Sequence, residues 1–177
     1  MQINKFTQKS IEAINNSEKL ALEYGNQEIE QEHLLYALLS QQDGLLPKLI
    51  EKMEIRVSEF DRRVVSALEK RVKVSGGQMH VGADLNKVLV TAEDEAKRMG
   101  DEYVSVEHIF LTMIAYPNRE IKAIFNEYGI TKERFLQALS TVRGNQRVTS
   151  DNPEATYDTL EKYGQDLVEK AKAQKLD

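Results

Sequence analysis

EHLLYALL, residues 32–39, and EHIFLTMI, residues 107–114, decide how this chain folds. Each sets an acid–histidine pair at the head of an apolar run, and the second follows the first by 75 residues. Such a recurrence is either a chemical site used twice or the trace of a duplicated fold, and internal self-similarity separates the two. Sliding the chain on itself by 75 residues aligns 21–64 with 96–139 without a gap. Ala21/Ala96, Gly25/Gly100, Glu32/Glu107, His33/His108, Ile55/Ile130 and Phe60/Phe135 are identical pairs. Apolar register is kept more widely: Ile29 meets Val104, Leu34 meets Ile109, Leu38 meets Met113, Leu46 meets Ile121 and Ile50 meets Phe125. A register held over that length without an insertion is a tandem duplication.

The period inside each copy is helical. Phe6, Ser10, Ala13, Ser17 and Ala21 follow 3/4 spacing, as do Leu85, Val88–Leu89, Ala92, Ala96 and Met99. Gly25 and Gly100 stand where these helices stop, suited to a left-handed residue. Further helices are predicted at 31–40 and 106–115, about 45–53 and 119–128, and about 57–70 and 131–142, with Thr131 as an N-cap. No segment reads as a strand. The expected fold is all-α: two tandem four-helix repeats, eight helices with a pseudo-twofold relation, plus a C-terminal linker helix. Residues 1–143 form the double-repeat domain, with repeat 1 at about 4–70, a connector at 71–83 holding Gly76–Gly77, and repeat 2 at about 84–143. The polar stretch 144–153 reads as a flexible linker. Residues 154–177 are helical again, with an apolar stripe but no partner helix, as if the chain stopped just inside a further domain.

Composition narrows the function. A chain of 177 residues and 20.2 kDa buries a real core. With no Cys, thiolate metal sites and thiol nucleophiles are excluded. The opening MQINKFTQKSIEAINNSEK is too polar for a signal peptide, and no apolar run approaches membrane-spanning length. A cytoplasmic location and no membrane partner are expected. The net charge of −5, without a basic stripe, speaks against nucleic acid. GxxxxGK[ST], GxSxG and HExxH do not occur, so the segment is expected to be non-catalytic. Its three histidines, His33, His80 and His108, are spread over two helices and a connector, and no metal is expected.

The acid–histidine pairs have two readings. Glu32 and Glu107 lie in the first turns of their helices, where a carboxylate gains about 0.3–1 kcal/mol from unsatisfied N–H groups. Each histidine next to them has a ring nitrogen available for a nearby backbone group. Capping and packing, repeated because the fold is repeated, is one reading. The other is that helix-start carboxylates recognise a cationic group on a partner.

EYGNQEIEQEHLLYALL and RMGDEYVSVEHIFLTMI together resemble the double-repeat amino-terminal domain of the Clp ATPases, and LEKYGQDLVEKAKAQKLD (160–177) is similar to the lead-in to the first AAA+ module of the ClpB-type disaggregases. The resemblance implies a hexameric, ATP- and Mg-dependent chaperone in full length that threads aggregated polypeptide through a pore together with the Hsp70-type system. This segment would then be a monomeric, cofactor-free capture domain for unfolded or aggregated polypeptides. By motif position the resemblance assigns substrate handling to Thr7, Asp101 and Glu107, beside a groove lined by Leu89, Val90 and Thr91. Each also has a plainer role: Thr7 as an N-cap, Asp101 as a turn residue and Glu107 as a helix-start charge. ClpC-like relatives suggest an alternative, adaptor or degron docking in which Glu32 and Glu107 grip the guanidinium of a phospho-arginine.

Overall fold

The computed structural model describes residues 3–154 and 157. The first repeat holds α1 (Gln8–Glu23), α2 (Gln31–Leu39), α3 (Leu45–Lys52) and α4 (Val57–Glu69). The second holds α5 (Ala83–Arg98), α6 (Val106–Ala115), α7 (Arg119–Tyr128) and α8 (Lys132–Arg143). The eight expected helices are therefore present, each within a few residues of its predicted bounds. Thr7 caps α1 by accepting from Ser10 N, and Thr131 caps α8 by accepting from Arg134 N. Gly25 and Gly100, with φ of 70° and 74°, turn the chain out of α1 and α5 through the left-handed region.

α2 and α6 form the centre. Both are apolar almost all round, and nearly every side chain on them is buried. α1 packs on α2 and α5 on α6 within the repeats, while α2 touches α5, α6 and α7, and α3 meets α6 and α8 across them. One continuous core results, closed around Phe60 against Tyr128 and around Phe110 between Phe125 and Phe135.

The sequence reading missed the strands. β1 (Glu28–Ile29) pairs in parallel with β2 (His80–Val81), placing a strand inside the connector. Two residues per strand are too few to show a period of two. The pairing joins the copies reciprocally. Ile29 of repeat 1 faces Val81 just before α5, and Val104 of repeat 2 bridges Phe6 just before α1. Gly82 N donates to Ile29 O and Thr7 N to Val104 O, each at 2.9 Å, so the 75-residue offset extends down to positions 7 and 82.

The stretch 144–153 also departs from a free linker. Val148 is buried, its N–H donates to Asp101 Oδ1 at 2.9 Å and its carbonyl accepts from Glu102 N at 2.8 Å. Asp151 O accepts from Gln8 N, and its carboxylate from Gln8 Nε2. The segment is fastened mainly by backbone groups and one carboxylate, so it carries no periodic apolar stripe. The predicted helix over 154–177 lies outside the described residues apart from Glu154 and Tyr157.

Candidate functional site

The acid–histidine pairs resolve first. The N-cap of α2 is Glu30 and that of α6 is Ser105, and the histidine three residues on completes a capping box in each. His33 Nδ1 accepts from Glu30 N and His108 Nδ1 from Ser105 N, both at 2.9 Å. With Nδ1 accepting, the proton sits on Nε2 and donates onward. In repeat 1 it goes to Asn26 Oδ1 at 2.9 Å, and in repeat 2 to Asp101 Oδ2 at 2.6 Å. Positions 26 and 101 are equivalents, and each also fastens the chain leaving its repeat: Asn26 Nδ2 donates to Val72 O, while Asp101 accepts from Val148 N. The duplicated histidines are thus architectural.

The neighbouring glutamates are spoken for as well. Glu32, fully buried, accepts from Arg71 Nη1 at 2.7 Å and Asn118 Nδ2 at 2.5 Å. Glu107, equally buried, is bonded to Ser105 Oγ and pairs with Arg143 Nη1 at 3.3 Å. Arg143 binds Asp101 with its other terminal nitrogen. Each glutamate therefore already holds a guanidinium from its own chain, in two separate clusters. Glu32 and Glu107 have separate partners, and among the described residues no group of acids and histidines could hold a metal.

Thr7, Asp101 and Glu107 do come together, at the corner where α1 and α6 begin, and all three are buried there. Thr7 Oγ1 lies 2.7 Å from Glu154 Oε1, which also accepts from Val106 N at 3.4 Å. Tyr157 is buried at the same corner, its ring centre 5.9 Å from the Arg143 guanidinium carbon. Burial pushes the Asp101 carboxyl up, but hydrogen bonds from His108, Val148 N and Arg143 outweigh it and hold the group below the usual carboxylate range. Burial and the charge of Glu107 push Glu154 the other way, up to about 7. Sequence reasoning missed Arg143, Glu154 and Tyr157, which reach this corner from more than 30 positions beyond Glu107.

The groove residues split. Leu89 is 3% exposed and belongs to the core, whereas Val90 is 46% exposed, as expected of adjacent helical positions about 100° apart. Thr91 is half-buried, its hydroxyl donating to Lys87 O at 2.6 Å within α5. Lys87 lies over the exposed ring of Tyr116 at 4.5 Å. Lys87, Val90 and Thr91 share one side of α5 by their 3/4 spacing. A cleft of about 530 Å³ lies between the C-terminal end of α5, Asn4–Lys5 and Asp101–Val104. Other exposed apolar side chains occur at Leu22 and along the connector at Val72, Val74 and Val81.

Residues 5–128 match the Clp repeat (R) N-terminal domain family. The chain is similar over its whole length to the chaperone protein ClpB of Nitratidesulfovibrio vulgaris, with 45% identity over 183 residues, and of Bacillus anthracis, with 42% over 182. It spans 21% of the length of each of these relatives. Among solved structures, the Hsp104 N-terminal domain from Candida albicans superposes with a TM-score of 0.75 at 26% identity, covering 85% of this chain and 99% of that one.

Proposed function

Because the chain belongs to the Clp repeat N-terminal domain family, we propose that it is the client-capture domain of a ClpB-type disaggregase. It takes exposed apolar segments of unfolded or aggregated proteins and passes them to the pore of a hexamer. In this reading ATP and Mg are bound by the AAA+ modules of the full-length protein, and the Hsp70-type system acts through those modules as well. The domain itself performs no chemistry, and it works in the cytoplasm. What carries the reading is the whole-length similarity to proteins of that name at 45% identity.

The capture surface in this reading is the α5 side bearing Val90 and Thr91, next to Lys87 and Tyr116. An apolar side chain half out of water, beside an aromatic ring and a flexible cation, suits brief contact with varied extended segments. Capture that precedes release calls for weak binding, roughly −5 to −7 kcal/mol. Thr7, Asp101 and Glu107, buried at the start of α6, take part in this reading by fixing that helix start rather than by touching the client. The test is titration of the isotopically labelled chain with a permanently unfolded client. Shifts at Val90, Thr91 and Tyr116, weakened in Val90→Ser, are expected; unperturbed α5 resonances at millimolar client would end the proposal. Phospho-arginine docking finds no comparable support, since Arg71 and Arg143 fill the places a ligand guanidinium would take.

A further inference from the structure

Positions 7 and 82 are equivalent, yet the carboxylates beside them come from different places. At the repeat 1 corner the carboxylate belongs to the N-cap itself. Glu30 Oε2 accepts from Gln31 N at 3.2 Å, and Oε1 lies only 1.6 Å from where a Cβ on residue 82 would stand. Glycine at 82 is what leaves the Glu30 carboxylate its room. At the repeat 2 corner both partners differ. The N-cap is Ser105, which has a hydroxyl and no carboxylate for the next amide, and position 7 is Thr, whose hydroxyl adds a donor. Val106 N, the equivalent of Gln31 N, and Thr7 Oγ1 converge instead on Glu154, a residue 48 positions beyond Val106.

That occupant fits without being fully satisfied. Glu154 is 5% exposed, its Oε2 has no hydrogen-bond partner among the described residues, and the charge of Glu107 lies nearby. Burying a carboxylate oxygen without a donor is costly, so this occupant is held less firmly than one tied to the helix it caps. The segment bringing it is anchored at only a few points, Val148 on Asp101 and Glu102 and Asp151 on Gln8.

We propose that the Thr7–Val106 corner is a receptor for a side-chain carboxylate on an extended polypeptide, filled in this chain by Glu154, so that residues 148–154 act as a tethered plug. An acidic peptide in trans competes for the same corner. A backbone amide at a helix start and a hydroxyl both donate there, so a side-chain carboxyl group is the chemistry selected. The plug stands apart from the α5 surface, and only the identity of the competing peptide rests on the capture reading.

The test uses the full 177-residue chain. Glu154→Ala empties the corner, and Thr7→Gly/Ser105→Glu rebuilds the repeat 1 arrangement there, with native Glu154 displaced. In both, amide exchange at Val148 and Gln8 should quicken by about tenfold or more while α2 and α4 stay protected. Unchanged exchange at those two amides in folded Glu154→Ala would overturn the plug. The trans arm uses a blocked synthetic peptide with the sequence VTSDNPEATY, and the same peptide with Gln in place of its Glu, read by anisotropy. Binding should be about tenfold tighter to Glu154→Ala than to the unaltered chain, and should drop about tenfold with the Gln peptide. Equal binding to both chains, or indifference to the Gln exchange, would overturn the receptor. An unfolded apolar client titrated into the same samples reads the α5 surface separately, so failure there would leave the plug standing.

Discussion

The two repeats share a scaffold and differ in how they balance charge at its centre. In repeat 1 the histidine rests on neutral Asn26, and the fully buried Glu32 is matched by a partly exposed Arg71 and by Asn118. Repeat 2 sets the histidine against charged Asp101, adds Glu107, and balances both with a single buried Arg143. The outer faces of the first helices differ too. Asn15 and Asn16 on α1 stand where α5 has Val90 and Thr91. Duplication preserved the frame, while polarity was redistributed: Val90 is exposed on α5 where α1 has Asn15, and the second corner takes its carboxylate from Glu154 where the first takes it from Glu30.

The charge difference breaks most visibly at the arginines. Arg143→Met strands two buried carboxylates, and a loss of about 3–5 kcal/mol in chemical denaturation is expected. A loss under about 1 kcal/mol would mean that water, rather than Arg143, satisfies Asp101 and Glu107.

Next in size is the acid side of the stability curve. Burial first, and then the charge of Arg71, lowers His33 to about 4 from an ordinary value of 6.5. The unfolded chain takes up this proton between those values and the folded chain does not. The His33 contribution, about 3 kcal/mol, is therefore complete above pH 6.5 and lost as pH falls toward 4. Glu30 and Glu154 run the opposite way, because burial raises both carboxyls to about 7 from 4.5, and the fold gains from them as pH falls through that window. Asn26→Asp gives repeat 1 the carboxylate of repeat 2. In that variant the His33 titration followed by NMR should move upward from about 4, and an unmoved titration would show that Asn26 does not govern it.

Arg71→Met should cost less than its counterpart, about 1–3 kcal/mol, since Asn118 still donates to Glu32 and water reaches the site. A cost matching that of Arg143→Met would erase the distinction between the clusters. Smallest of all, Val90→Ser should leave stability within about 0.5 kcal/mol of the unaltered chain, as expected of an exposed position.

Much of this frame was legible in the residues. The 75-residue register, the two glycine stops and the Thr131 cap are local or periodic signals, and they placed eight helices. The capping boxes were half-legible: Glu30 and Ser105 each precede a histidine by three, but histidine stands where Glu or Gln is the usual partner. Leu89 and Val90 could be told apart only as a pair, and the packing of α5 on α6 decides which is buried. What escaped has no local signal. The strand pairs are two residues long, and Arg143, Val148 and Glu154 act on groups at least 36 positions away through single hydrogen bonds.

In the proposed reading the second copy alone carries the client face. This is tested most directly by a two-dimensional NMR titration of the labelled chain with a permanently unfolded client, comparing equivalent positions on α1 and α5. Saturable shifts at Val90 and Thr91, with Asn15 and Asn16 unmoved, are predicted. Equal shifts on both helices, or shifts confined to α1, would contradict it.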